Sequence, residues 1–206
     1  MIISKKNEVH LRVKTEPNYA RELSDFFTFE VPGARFMPTY KNRIWDGKIR
    51  LYSVASNEIY VGLLPYIEEF AKRNEIDIEY KEGVLNERKY GTSELDNFVR
   101  GVSPKSKGTT LQIRDYQMAA FVHAVRNDRS LLLSPTASGK SLIIYLLTRW
   151  YESGKVLILV PTTSLVEQMY SDFVDYGYNE KMMQRIYQGH SREITNQVVI
   201  STWQSL

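Results

Sequence analysis

Residues 134–141 read Ser-Pro-Thr-Ala-Ser-Gly-Lys-Ser, and this octet constrains the fold more than any other stretch of the chain. A short apolar run, residues 130–133, precedes it, and a helical pattern over 142–152 follows. A strand that turns through small residues into a helix aims its loop N–H groups and the helix N-terminus at one point. That arrangement is a ready-made anion site. Gly139 lets the backbone approach closely, Lys140 supplies a point charge for the β- and γ-phosphates, and Ser141 supplies a hydroxyl for Mg²⁺. The strict phosphate-loop pattern begins on glycine, where Ser134 stands here. A plain strand-to-helix turn is the alternative reading.

The surrounding pattern favours the phosphate loop. Residues 155–160 form an apolar strand after their lysine, 163–176 a helix, and 185–187 and 198–201 two further strands. Apolar strands alternating with helices predict a parallel sheet covered on both faces. Ligands collect at the carboxyl ends of such strands. Those ends carry Pro161, Thr162 and Thr163, then Gln188 and Gly189, then Thr202. An incomplete sheet is expected to leave an exposed edge near 198–202.

Upstream the style changes. Residues 1–82 mix strands and helices as a small α+β domain: a strand over 9–14, a helix over 16–28, a hairpin of 48–54 with 58–61, a helix over 63–73 and a strand over 76–80. Residues 83–110 are polar and read as a linker holding a short helix from Ser93 to Arg100, stopped by Gly101. Residues 111–206 form the parallel-sheet domain. The fold class is therefore α/β, with the α+β domain in front.

Composition narrows the chemistry. There is no cysteine, which removes disulfides and thiolate metal sites, and the three histidines are scattered. No apolar run has the length of a membrane span, and residues 1–6 are not expected to open a signal peptide. A soluble, cytoplasmic protein without a membrane partner is expected. Net charge is only +3, yet residues 35–50 hold five cations (Arg35, Lys41, Arg43, Lys48, Arg50) against Asp46 alone. Phe36, Tyr40 and Trp45 are interleaved with them. Cations for phosphate with aromatics for bases suit nucleic acid. A solvated hairpin with inward aromatics fits the same residues, and Trp45 reads as turn packing.

Read in order, Arg114-Asp115-Tyr116-Gln117, the run Pro135 to Ser141, Pro161-Thr162-Thr163-Ser164-Leu165 and Thr202-Trp203-Gln204-Ser205-Leu206 resemble the first, RecA-like motor domain of superfamily-two helicases. The resemblance implies ATP and Mg²⁺ as cofactors. It assigns Gln117, with Arg114 and Tyr116, to the adenine. It assigns Pro135, Thr136, Ala137, Ser138, Gly139, Lys140 and Ser141 to motif I, where the family usually has glycine in place of Ala137. Lys140 and Ser141 are the catalytic candidates, and Ser141 the metal ligand. Pro161, Thr162, Thr163, Gln168, Gly189 and Thr202 would follow the DNA backbone. Phe29-Glu30, Gly33, Arg35-Phe36, Pro38 and the run Trp45 to Leu51 narrow the likeness to phage recombination and repair helicases, whose substrates are branched or forked DNA.

The family's acidic box, which holds Mg²⁺ and orients the attacking water, has no match after residue 141. The 206 residues are therefore expected to be part of a helicase: to bind DNA, to bind ATP weakly, and to hydrolyse and unwind little. Three rivals stay open: another P-loop ATPase or kinase, a non-catalytic DNA-binding module, and an RNA-directed helicase.

Overall fold

The computed structural model describes residues 1–85, 90–127 and 129–206. The chain divides into two compact units, Met1–Glu87 and Arg88–Leu206.

The first unit runs β1 (Ile2–Lys5), β2 (His10–Lys14), α1 (Pro17–Phe26), β3 (Thr28–Glu30), α2 (Pro38–Lys41), β4 (Lys48–Arg50), β5 (Glu58–Tyr60), α3 (Leu64–Arg73) and β6 (Glu79–Tyr80). Its main sheet has the order β5-β2-β1-β6. Alternation sets the buried face: Leu11 and Val13 are fully buried while Arg12 and Lys14 face outward. Leu23 of α1 and Ile67 and Phe70 of α3 close over that face, where their 3.6-residue spacing places them.

Two expectations change here. Strand β1 was not anticipated, although it pairs on both sides, with β2 and β6. The expected hairpin of 48–54 with 58–61 is not formed. Residues 48–50 pair with 28–30 and residues 58–60 with 10–12, leaving a single bridge between Ser53 and Glu58. The cause is Tyr52, which turns into the core and donates its hydroxyl to the Val13 carbonyl at 3.0 Å. Asn57, at φ +58°, then presents its own carbonyl to the Val13 N–H at 2.8 Å.

The second unit runs α4 (Thr92–Val102), β7 (Lys105–Ser106), β8 (Thr109–Thr110), α5 (Asp115–Arg126), α6 (Lys140–Trp150), β9 (Val156–Val160), α7 (Thr163–Asp175), β10 (Met183–Ile186) and β11 (Val198–Thr202). Three strands form a parallel sheet in the order β10-β11-β9. Every residue of β11 is buried. The expectation of an exposed edge at 198–202 is thus corrected: that strand is central, and β9 and β10 are the edges. It packs beneath Leu142, Tyr145 and Leu146 of α6 and Val166 and Phe173 of α7.

The stretch read as linker is partly core. Leu95 and Val99 of α4 lie in the same apolar cluster as Phe121 and Leu146. Gly101 does not stop this helix; it ends at Ser103, which turns left-handed at φ +43°. Asp175, expected as surface charge, anchors the β7–β8 hairpin by accepting from the Ser106 hydroxyl at 2.7 Å and the Lys107 N–H at 2.8 Å. Residues 130–133, expected as a strand, join no ladder, and Leu131 and Leu133 are 81% and 89% exposed. An extended apolar run without a neighbouring strand has nothing to cover its side chains. Among the described residues, no helix is long and apolar enough to cross a membrane.

Candidate functional site

The loop 134–141 enters α6 through Gly139, which caps the helix at φ +79°. Glycine is required there twice over. The dihedral is left-handed, and a Cβ would come within 2.4 Å of Gln117 Nε2. Ala137 also sits left-handed, at φ +63°. A β-carbon there is strained, and this is the position where the superfamily pattern carries glycine.

Several of the loop's polar groups are engaged within the loop or by neighbouring helices. Lys140 Nζ donates to the carbonyls of Ser134 (3.2 Å) and Pro135 (2.7 Å). The Ser134 and Ser138 hydroxyls are hydrogen-bonded to each other. Gln117 is buried: its Nε2 donates to the Ser138 carbonyl at 3.0 Å and its Oε1 accepts the Arg114 N–H at 3.0 Å. Tyr116 donates its hydroxyl to the same Ser138 carbonyl at 3.0 Å and accepts from Arg114 Nη1 at 3.0 Å. The three residues assigned to adenine are therefore gathered on the loop, and both ends of the Gln117 amide are engaged there. Ser141 Oγ lies 3.0 Å from the Tyr176 hydroxyl, whose pKa burial pushes up. Beside the loop lies a cavity of about 730 Å³, lined by Tyr116, His123, Leu133, Thr136, Lys140 and Ile143 among others. Thr136 is exposed.

The strand ends are brought together as expected. The register pairs Thr202 with Val160 and Ser201 with Ile186, so Pro161–Thr163, Tyr187–Gly189 and Trp203 follow the same end of one sheet. Their side chains divide differently from the expectation. Pro161, Thr162, Thr163, Gln168 and Gly189 are exposed. Thr162 caps α7, accepting the Leu165 N–H at 3.3 Å. Thr202 is 4% exposed, its hydroxyl 2.8 Å from that of Ser205, so it does not reach solvent. Trp203, next in sequence and 69% exposed, is the side chain this strand end presents. Thr202 is the last residue of a strand buried on both faces, whereas Trp203 opens the short 3-10 turn that follows it. Glu167 braces this end, accepting from the Tyr187 hydroxyl and from Arg185, and these partners hold its carboxyl below the usual range. Among the described residues, no group of three or more metal-binding side chains occurs.

The cations of the first unit also divide. Arg50 pairs with Asp46, and Lys48 with Glu30 at 3.8 Å. Arg50 and the Lys48 N–H together hold the Asp46 carboxyl below its usual range. Arg35, Lys41 and Arg43 are exposed and, among the described residues, form no ion pair. Trp45 is partly buried and donates its indole N–H to the Lys48 carbonyl at 2.8 Å, as turn packing requires.

Comparison with known proteins supplies the relationship. Residues 3–81 match the family described as DNA helicase UvsW, N-terminal, and residues 110–206 match that of the Type III restriction enzyme, res subunit. A crystal structure of the UvsW helicase from bacteriophage T4 superposes with a TM-score of 0.89 at 32% identity, covering 98% of this chain and 74% of that one. The chain belongs to the UvsW helicase family. A second T4 UvsW crystal structure gives a TM-score of 0.90 at 32% identity, covering 98% of this chain and 42% of that one. The curated relative, the ATP-dependent DNA helicase uvsW of Enterobacteria phage T4, is 34% identical over 96% of this chain. The chain spans 41% of that UvsW protein's length.

Proposed function

We propose that this chain carries the DNA-reading unit and the phosphate-binding part of the first motor domain of an ATP-dependent DNA helicase, one that acts on branched or forked DNA in recombination and repair. The observation that supports this most is the loop itself: Gly139 left-handed at the N-terminus of α6, with Lys140 and Ser141 in the first helical turn. Its donor set fits a nucleoside triphosphate with Mg²⁺. The N–H groups of the loop and first turn, together with the Lys140 ammonium, suit phosphate oxygens, and no acidic residue stands in the first turn of α6 to oppose them. Ser141 would hold the metal, whose positive charge offsets the negative charge of the phosphates.

For the chain's own residues this means a rearrangement. Lys140 must leave the Ser134 and Pro135 carbonyls to reach a phosphate, and Ser141 must turn from Tyr176. Gln117 must trade its contact with the Ser138 carbonyl for the base. Pro161, Thr162, Thr163, Gln168 and Gly189 would track the DNA backbone at the carboxyl ends of the strands. Residues 142–206 hold no adjacent Asp-Glu box that could orient a water, so the role proposed for this loop is nucleotide binding.

Titration with a fluorescent ATP analogue tests the reading. Wild type should bind, and Lys140→Ala should bind at least about tenfold more weakly, as expected for a charge-assisted phosphate contact. Equal binding by the two would remove the loop as a nucleotide site.

A further inference from the structure

Residues 31–47, between β3 and β4, are built rigidly and yet expose apolar surface. The Val31 N–H donates to the Gly47 carbonyl at 2.8 Å, closing the base of the excursion, and the Ile44 N–H donates to the Thr39 carbonyl at 2.9 Å. Gly47, at φ +77°, sits so tightly that a Cβ would lie 3.0 Å from Ala34 and 3.1 Å from the Tyr40 ring. Outside this packed base, every residue from 35 to 44 is exposed. Phe36 is 73% and Ile44 76% exposed. Arg43, immediately before Ile44, is held in a left-handed conformation at φ +56°, a strain that surrounding structure must impose. A cleft of about 850 Å³ opens here, lined by Arg35, Tyr40, Lys41, Arg43, Ile44 and Arg50 among others.

Water does not favour such a surface, so an ordered frame that holds it out points to a partner. The partner's charge is set by Arg35, Lys41 and Arg43, with no acidic residue between Val31 and Trp45. Polyanions that also offer flat apolar faces are nucleic acids. We propose that Phe36 and Ile44 form a wedge that inserts into a DNA base stack while Arg35, Lys41 and Arg43 grip the flanking phosphates. Unstacking is least costly where pairing already ends, so the wedge prefers a fork to a continuous duplex. This inference rests on the reading that the first unit binds DNA.

The test uses the full 206-residue chain and forked DNA carrying 2-aminopurine at the branch point, whose fluorescence rises when its neighbours unstack. Wild type is expected to raise the signal. Phe36→Ala/Ile44→Ala should abolish the rise and weaken binding by about 5- to 150-fold per lost stacking contact. The slope of binding against salt should stay unchanged, because no phosphate contact is lost. Phe36→Tyr, which keeps the ring, should restore the signal. Both positions are exposed, so the circular dichroism spectrum should match wild type. If wild type binds with a steep salt slope and the double variant matches it in affinity and fluorescence, the wedge is overturned and the DNA reading stands. If wild type does not bind the fork at all, the DNA reading of this unit fails, and the apolar face belongs to a protein contact.

Discussion

In the loop 134–141, Lys140, Ser138 and Ser141 all direct their polar groups inward, to Ser134, Pro135 and Tyr176. In the excursion 31–47, Arg35, Lys41 and Arg43 project into solvent beside Phe36 and Ile44. Both regions are basic and both are proposed to meet phosphate, but one is self-satisfied and the other is not. A self-satisfied loop must exchange contacts when a ligand arrives, so its affinity reflects a difference between two bonded states. An open cationic surface displaces only water and counterions, so its binding follows salt. The loop should thus respond mainly to backbone changes, and the excursion mainly to charge.

The sharpest contrast is between buried and exposed apolar residues. Ile200→Ala, in the fully buried central strand, should cost about 3 kcal/mol in denaturant unfolding of the second unit, whereas Phe36→Ala should stay within about 0.5 kcal/mol. A comparable loss from Phe36→Ala would mean that the excursion is a core element and not a binding surface.

Backbone changes in the loop come next. Gly139→Ala adds a Cβ at 2.4 Å from Gln117 in a left-handed conformation, and should destabilise by about 2–4 kcal/mol and remove nucleotide binding. Ala137→Gly should do the reverse. Relief of a strained φ, less the added entropy of an unfolded glycine, leaves a gain of about 0.5–1 kcal/mol, measurable by thermal unfolding. No gain would mean that Ala137 is held without strain.

The smallest effect is electrostatic. Tyr187, then Arg185, hold the folded Glu167 carboxyl below its ordinary value of 4.5. Their stabilisation is therefore present above that value and lost as pH falls through the lower, folded one. The pair is partly exposed, so Glu167→Gln should remove about 0.5 kcal/mol or less at pH 7 and flatten the acid limb of the stability curve.

How much was legible in the sequence follows from the range of each interaction. The loop was legible because its chemistry is local: glycine, lysine and serine in succession fix both backbone and charge. The helices α1, α3, α6 and α7 were legible because an apolar stripe is periodic within each segment. Partner choice among strands was not. Tyr52 breaks the expected hairpin by bonding to Val13, 39 positions away, and β11 becomes central only through its pairing with β10 and β9. Helix α4 was legible over 93–100, but its place in the core was not, for a similar reason. Its Leu95 and Val99 are sparse in a polar stretch, and they gain meaning only against Phe121 and Leu146. At the site, residue types were legible but exposure was not. Thr202 and Trp203 look equally suited to a strand end, and where the doubly buried strand stops decides which one reaches solvent. Likewise the five cations of 35–50 look equivalent until Asp46 and Glu30 engage two of them.

The division of labour between the two regions is tested most directly by forked-DNA binding across a salt series, with wild type, Arg35→Ala/Lys41→Ala/Arg43→Ala and Lys140→Ala compared without nucleotide. The account predicts that the triple variant binds more weakly, with its salt slope reduced by about 1 for each cation that meets a phosphate, while Lys140→Ala keeps the wild-type slope. A triple variant that keeps the full slope, or a Lys140→Ala chain that loses it, would contradict the assignment of DNA reading to the first unit.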